Sequence, residues 1–542
     1  MSETTAQKGH PKGLWVLFGT EMWERFNYYG MRAVLVLFMT KALLFDKAFA
    51  SNLYGSYTSL VYLTPLIGGF IADRYWGNQR SIIAGGIVMA LGEFLLFFCG
   101  STYASSPDLS SILFFSGLGL MIAGNGFFKP NISSLVGQLY PKNDRRIDPA
   151  YTIFYMGINV GGAVGPFICG LVGDTGDPAD FKWAFLAGGI GMLISVVVQL
   201  LFHKKYVLGP DKQVLGLTPA GSPSLWIKPI AIIIGLAAFS ALAIGMLYID
   251  AKVVSYLTYL LAGSAILIFF MVMTDKTLNK FEKHRVIVLF TVVFFVIFFW
   301  SAFEQAGASL TFFAEEQTQR DLGFYTVPAS WFQSLNSLFV VAFAPVFAWL
   351  WLKLGKKDPS APTKMAIGLM LLAIGYLWIA FGVKDVGAGI KVSMIWLTGM
   401  YALHTWGELC LSPIGLSLAN KLAPFKYASL LMAVWFLGNA FANKLAGVLS
   451  ALYPPSIAEI KKAADVGIDL EPILAKTVTP SAEVIAKLND AGIPYKFQSI
   501  LGYDINSLYD FFVLFVVMAG VASLILFALT KKLQTMMHTK EA

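Results

Sequence analysis

Charged side chains stand close together in an otherwise apolar run near the N-terminus of this 542-residue chain. They are Glu21, Glu24, Arg25 and Arg32. The spacing of Glu21, Arg25 and Arg32 places these three residues on one face of a helix. A guanidinium beside two carboxylates can exchange ion-pair partners when a proton is taken up. The alternative is a self-neutralised structural helix, but Arg32 has no acidic residue four positions away, so we favour a functional role.

Three more charges are isolated within long apolar segments, namely Lys129, Glu304 and Glu408. A charge at the centre of a membrane helix costs about 2.5–3.5 kcal/mol on insertion scales, so it must face a cavity or a partner. A buried carboxylate that meets an arginine only in some conformations can carry a proton, whereas one that stays ionised suits a substrate ammonium. The alternatives are structural ion pairs and a lysine that reaches the membrane surface. For Glu93 and Lys444 we predict no specific role, and we favour a structural pair or a gate contact over chemistry.

The composition indicates that these charges lie in a membrane protein. Apolar residues make up 57% of the chain and charged residues 13%, against about 45–50% and about 25% in soluble proteins. A soluble multi-domain enzyme is excluded, because so few charges would leave large apolar patches exposed. We find no nucleophile–base set and no metal-ligand cluster, so we predict no catalytic residues, no metal site, no cofactor and no enzymatic activity.

Apolar stretches of about 20 residues recur between short polar loops and predict an all-α polytopic membrane protein with fourteen transmembrane helices. The spans are predicted near residues 14–40, 53–75, 81–100, 109–138, 149–174, 182–203, 226–249, 254–274, 286–314, 328–352, 364–383, 392–420, 427–452 and 506–530. With the N-terminus inside, cytoplasmic segments contain 24 of the 40 lysines and arginines. This bias follows the positive-inside rule and predicts that both termini are cytoplasmic. It also explains the net charge of +8 without a nucleic-acid partner.

The predicted spans form groups of six, two and six. We predict an N-terminal six-helix bundle over residues 1–203, a linker with two extra transmembrane helices over 204–285, and a C-terminal six-helix bundle over 286–542. The two extra helices carry no ionisable residue away from their ends. We therefore expect them to contain no intramembrane ionisable group and to lie outside the transport path.

Residues 453–504, between the last two predicted helices, contain five prolines mixed with charged residues. Two helix-like stretches lie near 456–465 and 481–491. We predict an extracytoplasmic insert that acts as a passive loop, with a lid as the alternative.

Residues 69–80, between the second and third spans, read GFIADRYWGNQR. They resemble the GxxxDRxGxR-type signature of the major facilitator superfamily, whose transporters are built from two six-helix halves. The resemblance implies that Asp73 and Arg74 act as a gate, because Asp–Arg contacts hold neighbouring helices in one conformation. An ordinary basic turn is the alternative.

Further motifs resemble signatures of the proton-dependent oligopeptide transporter family. Residues 21–30 read EMWERFNYYG, similar to ExxERFxYYG, and residues 154–161 read FYMGINVG, similar to FYxxINxG. A glycine-rich stretch that ends at Lys129 and Pro130 resembles a third motif. The six-two-six arrangement matches bacterial members, so the similarity covers nearly the whole chain. It implies the major facilitator fold with two extra helices between the halves.

The resemblance implies a symporter that imports di- and tripeptides with protons by alternating access between its halves. The implied proton-coupling residues are Glu21, Glu24, Arg25, Arg32 and Glu304. The implied peptide-binding residues are Arg25, Tyr29, Tyr62, Lys129, Tyr155, Asn159, Trp300, Asn336, Glu408 and Trp435. Arg25 and Lys129 would face the peptide carboxylate and Glu408 its amino terminus. Lys129 and Glu408 would also form a gate, in addition to the one formed by Asp73 and Arg74.

One departure from the family is a glycine, Gly55, in the register where some members have a histidine on the second span. This places the proton on Glu304 and the first-span carboxylates. We expect peptides, protons and a lipid bilayer as partners, function as a monomer, and a multi-pass location in a bacterial inner (plasma) membrane. The alternatives are a symporter for another small solute, such as nitrate, a glucoside or an amino acid, and a receptor-like homologue. The first-span signature argues against the first, and the intact carboxylates argue against the second.

Overall fold

Long helices make up nearly all of the regular structure. The computed structural model describes residues 9–141, 144–219, 221–222, 228–252, 256–384, 386, 390–455, 457–474 and 477–538. The strands in these residues are two residues long and form two pairs, parallel β1 (Thr318–Gln319) with β2 (Val392–Ser393) and antiparallel β3 (Ser499–Ile500) with β4 (Tyr503–Asp504). The predicted all-α class is confirmed for the described part of the chain, because these pairs only join loops.

The first eight helices are α1 (Lys12–Lys41), α2 (Lys47–Leu63), α3 (Pro65–Ile71), α4 (Asn78–Thr102), α5 (Pro107–Gln138), α6 (Ile147–Gly173), α7 (Phe181–Tyr206) and α8 (Pro229–Lys252). Proline begins α3 and α5, where the missing N–H has no partner within the helix to lose. A π-helical turn over Ala72–Trp76 joins α3 to α4 and ends at Gly77. The φ of Gly77 is 79°, a conformation that glycine adopts without strain.

The second half begins with α9 (Tyr256–Thr274), α10 (Lys280–Phe303), α11 (Ser309–Glu316), α12 (Ser334–Leu354), α13 (Ala361–Val383), α14 (Met394–Leu422) and α15 (Ala428–Ser450). It ends with α16 (Ile457–Asp465), α17 (Glu471–Leu474), α18 (Ala482–Asp490) and α19 (Leu508–Met537). The segment predicted as one span near 286–314 is interrupted. A 3-10 turn over Glu304–Gly307 separates α10 from α11.

Eleven helical segments of the described chain are long and apolar enough to cross a membrane. Three other predicted spans coincide with α1, α2 and α14. The charged face lowers the apolar character of α1, α2 has only 17 residues, and polar residues such as His404 and Glu408 interrupt α14. The protein is a polytopic helical membrane protein, and the total of fourteen spans stays a prediction.

The chain forms two compact units, and neither is continuous in sequence. The first unit contains residues 1–34 and 60–249, and the second contains residues 35–59 and 250–542. The division therefore passes through the second half of α1, through the last turn of α2 and through the end of α8. The predicted division at residues 203 and 285 is a different description, based on predicted spans, and stays a prediction.

Glycines allow helices of the first unit to pack with their backbones close together. A Cβ atom on Gly85 of α4 would lie 2.5 Å from the carbonyl oxygen of Gly124 on α5, a distance that real Cβ atoms do not reach. The extra helix α8 also packs on α5, where Phe127 and Phe239 place their ring centroids 5.3 Å apart. The other extra helix, α9, packs against α15 in the second unit.

The segment 453–504 has a small apolar core of its own. Its buried members are Ala463, Ile468, Leu470, Ile473, Leu474, Leu488 and Ile493. Helices α16 and α18 form where the sequence predicts helix-like stretches, although residue 456 lies outside the described residues. Since both helices have apolar faces that meet in this core, the segment is an organised subdomain.

Candidate functional site

Arg25 lies beside two buried carboxylates of its own helix. Its Nε atom is 3.1 Å from Oε1 of Glu21 and 2.5 Å from Oε2 of Glu24. The three side chains are at most 3% exposed. The one-turn separation of Glu21 and Arg25 permits the first contact, as the spacing predicts. Fully ionised, the three side chains have a net charge of −1, so the cluster can accept a proton or a cation.

Amide side chains bind the carboxylates near this cluster. Nδ2 of Asn125, on α5, donates a hydrogen bond to Oε1 of Glu24 over 3.2 Å. Nδ2 of Asn27 donates to Oε1 of the fully buried Glu93, on α4, over 2.8 Å. Sequence reasoning missed both asparagines because its search for polar groups inside apolar segments was limited to charged residues, and the family motifs assign these two asparagines no role. An asparagine inside an apolar segment was the available signal, since a buried amide requires a polar partner.

The FYxxINxG motif lies where α6 contacts the charged helix. A Cβ atom on Gly161 would lie 2.2 Å from the carbonyl oxygen of Met22 and 2.8 Å from Cβ of Arg25. The final glycine of the motif therefore permits the approach of the two backbones. Two residues earlier, the buried Asn159 donates to the carbonyl oxygen of Tyr155 over 2.9 Å.

Aromatic rings lie beside the cations of the first unit. The guanidinium carbon of Arg25 is 5.9 Å from the ring centroid of Tyr29, and that of Arg32 is 5.7 Å from the same ring. Nζ of Lys129 is 4.7 Å from the ring centroid of Tyr62. These distances permit cation–π attraction. Five of the residues proposed from the sequence thus take part in cation–π contacts within the first unit.

Two buried carboxylates belong to the second unit. Glu408 on α14 accepts a hydrogen bond from Nδ2 of Asn336 on α12 over 2.8 Å. Glu304 is 4% exposed and Glu408 is 9% exposed. Glu304 is the first residue of the 3-10 turn after α10, so it lies at the break in the span.

The two predicted tryptophans supply apolar surface in the same unit. Trp300 packs edge-on against Phe299 and Phe303, with centroid distances of 5.3 and 5.2 Å. Trp435 is buried against Gly415, where a Cβ atom would lie 2.1 Å from the indole ring. Each indole is therefore held in place by its neighbours.

Asp73 and Arg74 lie in the π-helical turn between α3 and α4. Both side chains are exposed, and neither forms an ion pair with another described residue. The structure therefore shows no Asp–Arg contact at this turn in the part of the chain it describes. Their role as a gate stays a prediction.

Lys444 on α15 has a partner that sequence reasoning missed. Its Nζ atom is 2.5 Å from Oδ2 of Asp250, and both side chains are 1% exposed. Asp250 belongs to the apolar segment Ile230–Ala251 of α8. The expectation that the two extra helices contain no intramembrane ionisable group is therefore wrong. The predicted span ends at residue 249, directly before Asp250.

Comparison with known proteins provides independent evidence. A family model described as the POT family matches residues 79–464. The chain is 39% identical over 457 residues to the uncharacterized transporter YclF of Bacillus subtilis (strain 168), which covers 82% of this chain and 88% of that protein. It is 32% identical over 460 residues to a di-/tripeptide transporter of Lactococcus lactis subsp. cremoris, which covers 82% and 90%. A crystal structure of the peptide transporter POT in complex with sulfate is 31% identical, covers 98% of this chain and 97% of its own, and matches with a TM-score of 0.76.

Buried charges within apolar helices define a polytopic membrane transporter as the class of this protein. The chain belongs to the POT family, the proton-dependent oligopeptide transporters. The predicted family is confirmed, and with it the prediction of a transporter rather than an enzyme. The charged motif at residues 21–30 precedes the range of the family model, so that match does not depend on it.

Proposed function

We propose that the protein is a proton-coupled symporter that imports di- and tripeptides by alternating access. The observation that carries this proposal is the buried cluster of Glu21, Glu24 and Arg25 on the helix with the family's first motif. Ionisable groups inside a membrane helix are costly and therefore rare, and they typically mark the path of a substrate or a proton. Similarity to a di-/tripeptide transporter supports peptides as the cargo.

The ends of the peptide are the proposed recognition elements. A peptide is a zwitterion, so cations suit its carboxylate and an acidic group suits its ammonium. Arg25 and Lys129 are the proposed cations. Glu408 is the proposed acidic group, and the hydrogen bond from Asn336 orients its carboxylate. Because Arg25, Lys129 and Glu408 would contact only the two charged ends of the peptide, the protein could accept peptides with different side chains.

The remaining proposed contacts address the backbone and the side chains of the peptide. Asn159 and Asn336 provide amides for the backbone. Aromatic residues provide apolar surface for the side chains. They are Tyr29, Tyr62, Tyr155, Trp300 and Trp435.

Proton coupling is proposed to depend on Glu304 as the carrier, with Glu21, Glu24, Arg25 and Arg32 responding to its protonation. The break after α10 supports this role, because a 3-10 turn gives the Glu304 side chain a local environment different from that of a regular helix. A membrane potential of 100 mV adds about 2.3 kcal/mol for each charge moved, so net charge movement would drive import.

The finer topology is proposed as fourteen helices in the order six, two and six, with both termini cytoplasmic. The distribution of basic residues supports this orientation. It places Asp73, Arg74 and the proposed gate on the cytoplasmic side and the 453–504 subdomain outside. We propose a bacterial plasma membrane as the location and a monomer as the functional form.

Uptake of labelled dialanine into proteoliposomes with an imposed inward proton gradient tests the function. We expect the gradient to stimulate uptake, and we expect unlabelled tripeptides to compete while free alanine does not. The variant E483Q changes an exposed carboxylate that pairs with Lys487 and belongs to no proposed site, so it should transport normally. Absence of stimulation would refute symport, and stimulated uptake of an amino acid, nitrate or a glucoside without peptide uptake would establish the alternative substrate.

A further inference from the structure

A buried polar cluster in the second unit has no assigned role. Nζ of Lys444 is 2.5 Å from Oδ2 of Asp250 and 2.8 Å from Oγ of Ser56 on α2. The Ser56 hydroxyl also contacts Oδ2 of Asp250. All three side chains are at most 2% exposed. The cluster therefore joins α2, the end of α8 and α15 through polar contacts that exclude solvent.

The carboxylate of Asp250 is fixed from a second direction. Its Oδ1 atom accepts a hydrogen bond from the backbone N–H of Leu257, in the first turn of α9, over 2.9 Å. Asp250 thus bonds to the start of α9 with one oxygen and to Lys444 with the other. The position of the lysine ammonium depends on a group supplied by the extra helices.

The segment of α2 that carries Ser56 packs closely on α15. A Cβ atom on Gly55 would lie 2.7 Å from the Cα atom of Gly447, so both glycines are needed for this approach. One turn earlier, the hydroxyl of Ser51 lies 3.1 Å from the hydroxyl of Ser450. Polar contacts of Ser51 and Ser56 therefore lie on either side of the close approach at Gly55.

The first part of α2 belongs to the same unit as α15. Residues 35–59 belong to the second unit and residues 60–249 to the first. Any motion that releases the first part of α2 from α15 must break the bonds of Ser56 and separate the glycine crossing. Such a release keeps the Asp250–Lys444 pair but takes the Ser56 hydroxyl away from both charged groups, which leaves each buried charge with one hydrogen-bond partner fewer.

We propose that Asp250 is a positioning residue that directs Lys444 at Ser56 and thereby holds the first part of α2 against α15. The extra helices then help to hold α2 against α15, through the bonds of Asp250 to Lys444 and to the start of α9. This inference does not rest on the proposed substrate, because the contact can be measured without any peptide.

Disulfide crosslinking between S51C and S450C measures the contact in the full-length protein. The distance between the two hydroxyls is compatible with a disulfide after substitution. The three native cysteines are buried, and the single variants S51C and S450C control for their reaction. We expect a high crosslinked fraction in the parent double-cysteine protein.

Two variants are compared with the parent. S56A removes the hydroxyl and keeps the ion pair, while D250N/K444M removes both charges without leaving one unpaired, so both should fold. We expect each to lower the crosslinked fraction severalfold while the thermal unfolding temperature of S56A stays near that of the parent. E483Q/K487M, which removes the exposed pair, should crosslink fully. If S56A crosslinks as completely as the parent, the proposal is overturned, and the same conclusion follows from unchanged crosslinking in D250N/K444M.

Discussion

Asn336 holds the carboxylate of Glu408 from a neighbouring helix. Its Nδ2 atom donates to Oε2 of Glu408 over 2.8 Å and also lies 3.1 Å from Oγ1 of Thr405, one turn earlier on α14. The amide therefore contacts two positions of α14 and limits the rotation of the Glu408 side chain. An oriented carboxylate loses less conformational freedom when it binds an ammonium, which is the advantage of preorganisation.

The variant N336A is expected to weaken recognition of the peptide amino terminus. A hydrogen bond to a charged group contributes about 1.5–3 kcal/mol, which corresponds to about tenfold or more in affinity. We expect the KM for dialanine to rise by about this factor or more, and the KM for N-acetylated dialanine, which has no ammonium and loses only the proposed backbone contact of Asn336, to rise less. Competition assays with the two peptides measure the difference. An equal loss for both would show that Asn336 acts on the backbone or on folding.

The variant E304Q is expected to separate proton-driven uptake from exchange. Glutamine keeps the size of the side chain and removes its capacity to carry a proton. We expect uptake driven by a proton gradient to fall to the background level, while counterflow exchange of labelled for unlabelled peptide remains. Driven uptake at the level of the unmodified protein would contradict the assigned role of Glu304.

Removal of Arg25 is expected to destabilise the first unit. Two buried carboxylates, Glu21 and Glu24, would lose the cation that both contact. Loss of one partner from a buried ion pair costs about 3–5 kcal/mol. We expect R25A to unfold at a clearly lower temperature in detergent. The variant R25K keeps the charge but not the planar geometry, so it should retain more stability than R25A and still transport poorly. An unchanged unfolding temperature for R25A would be inconsistent with a buried cluster.

The variant G161A is expected to separate α6 from the charged helix. Its Cβ atom would meet the carbonyl oxygen of Met22 at 2.2 Å, and a backbone atom cannot rotate away. We expect a lower yield of folded protein and a loss of transport. The matched control is G245A, because a Cβ atom on Gly245 meets nothing within 4 Å. Equal yields for G161A and G245A would show that the α1–α6 contact is looser than described.

Periodicity predicts contacts within a helix better than contacts between helices. The pairing of Glu21 with Arg25 follows from a spacing of four residues, because the helix itself brings such side chains together. The amide of Asn125 reaches Glu24 from a helix 101 positions away in sequence. Which residues of two helices meet depends on their packing, and no local pattern encodes that choice.

The ends of the membrane helices are harder to predict from the sequence than their positions. The apolar run of α8 predicts a span that ends at residue 249, directly before Asp250. The structure buries this residue because Lys444, 194 positions later, neutralises it. The sequence also gives no signal for the helix break at Glu304–Gly307, because the residues on both sides are apolar and the turn contains no proline.

The apolar core of the 453–504 subdomain implies that contacts within the subdomain, separate from those of the membrane helices, stabilise its fold. Regions with their own buried contacts open as cooperative units at their own free energy. Heat or denaturant can therefore melt α16, α17 and α18 while the bilayer still holds the rest of the chain. A protease would cleave this segment when it unfolds locally. The ion pair between Lys47 and Glu459, 3.0 Å long, connects the subdomain to α2, so local unfolding would also remove this contact from α2.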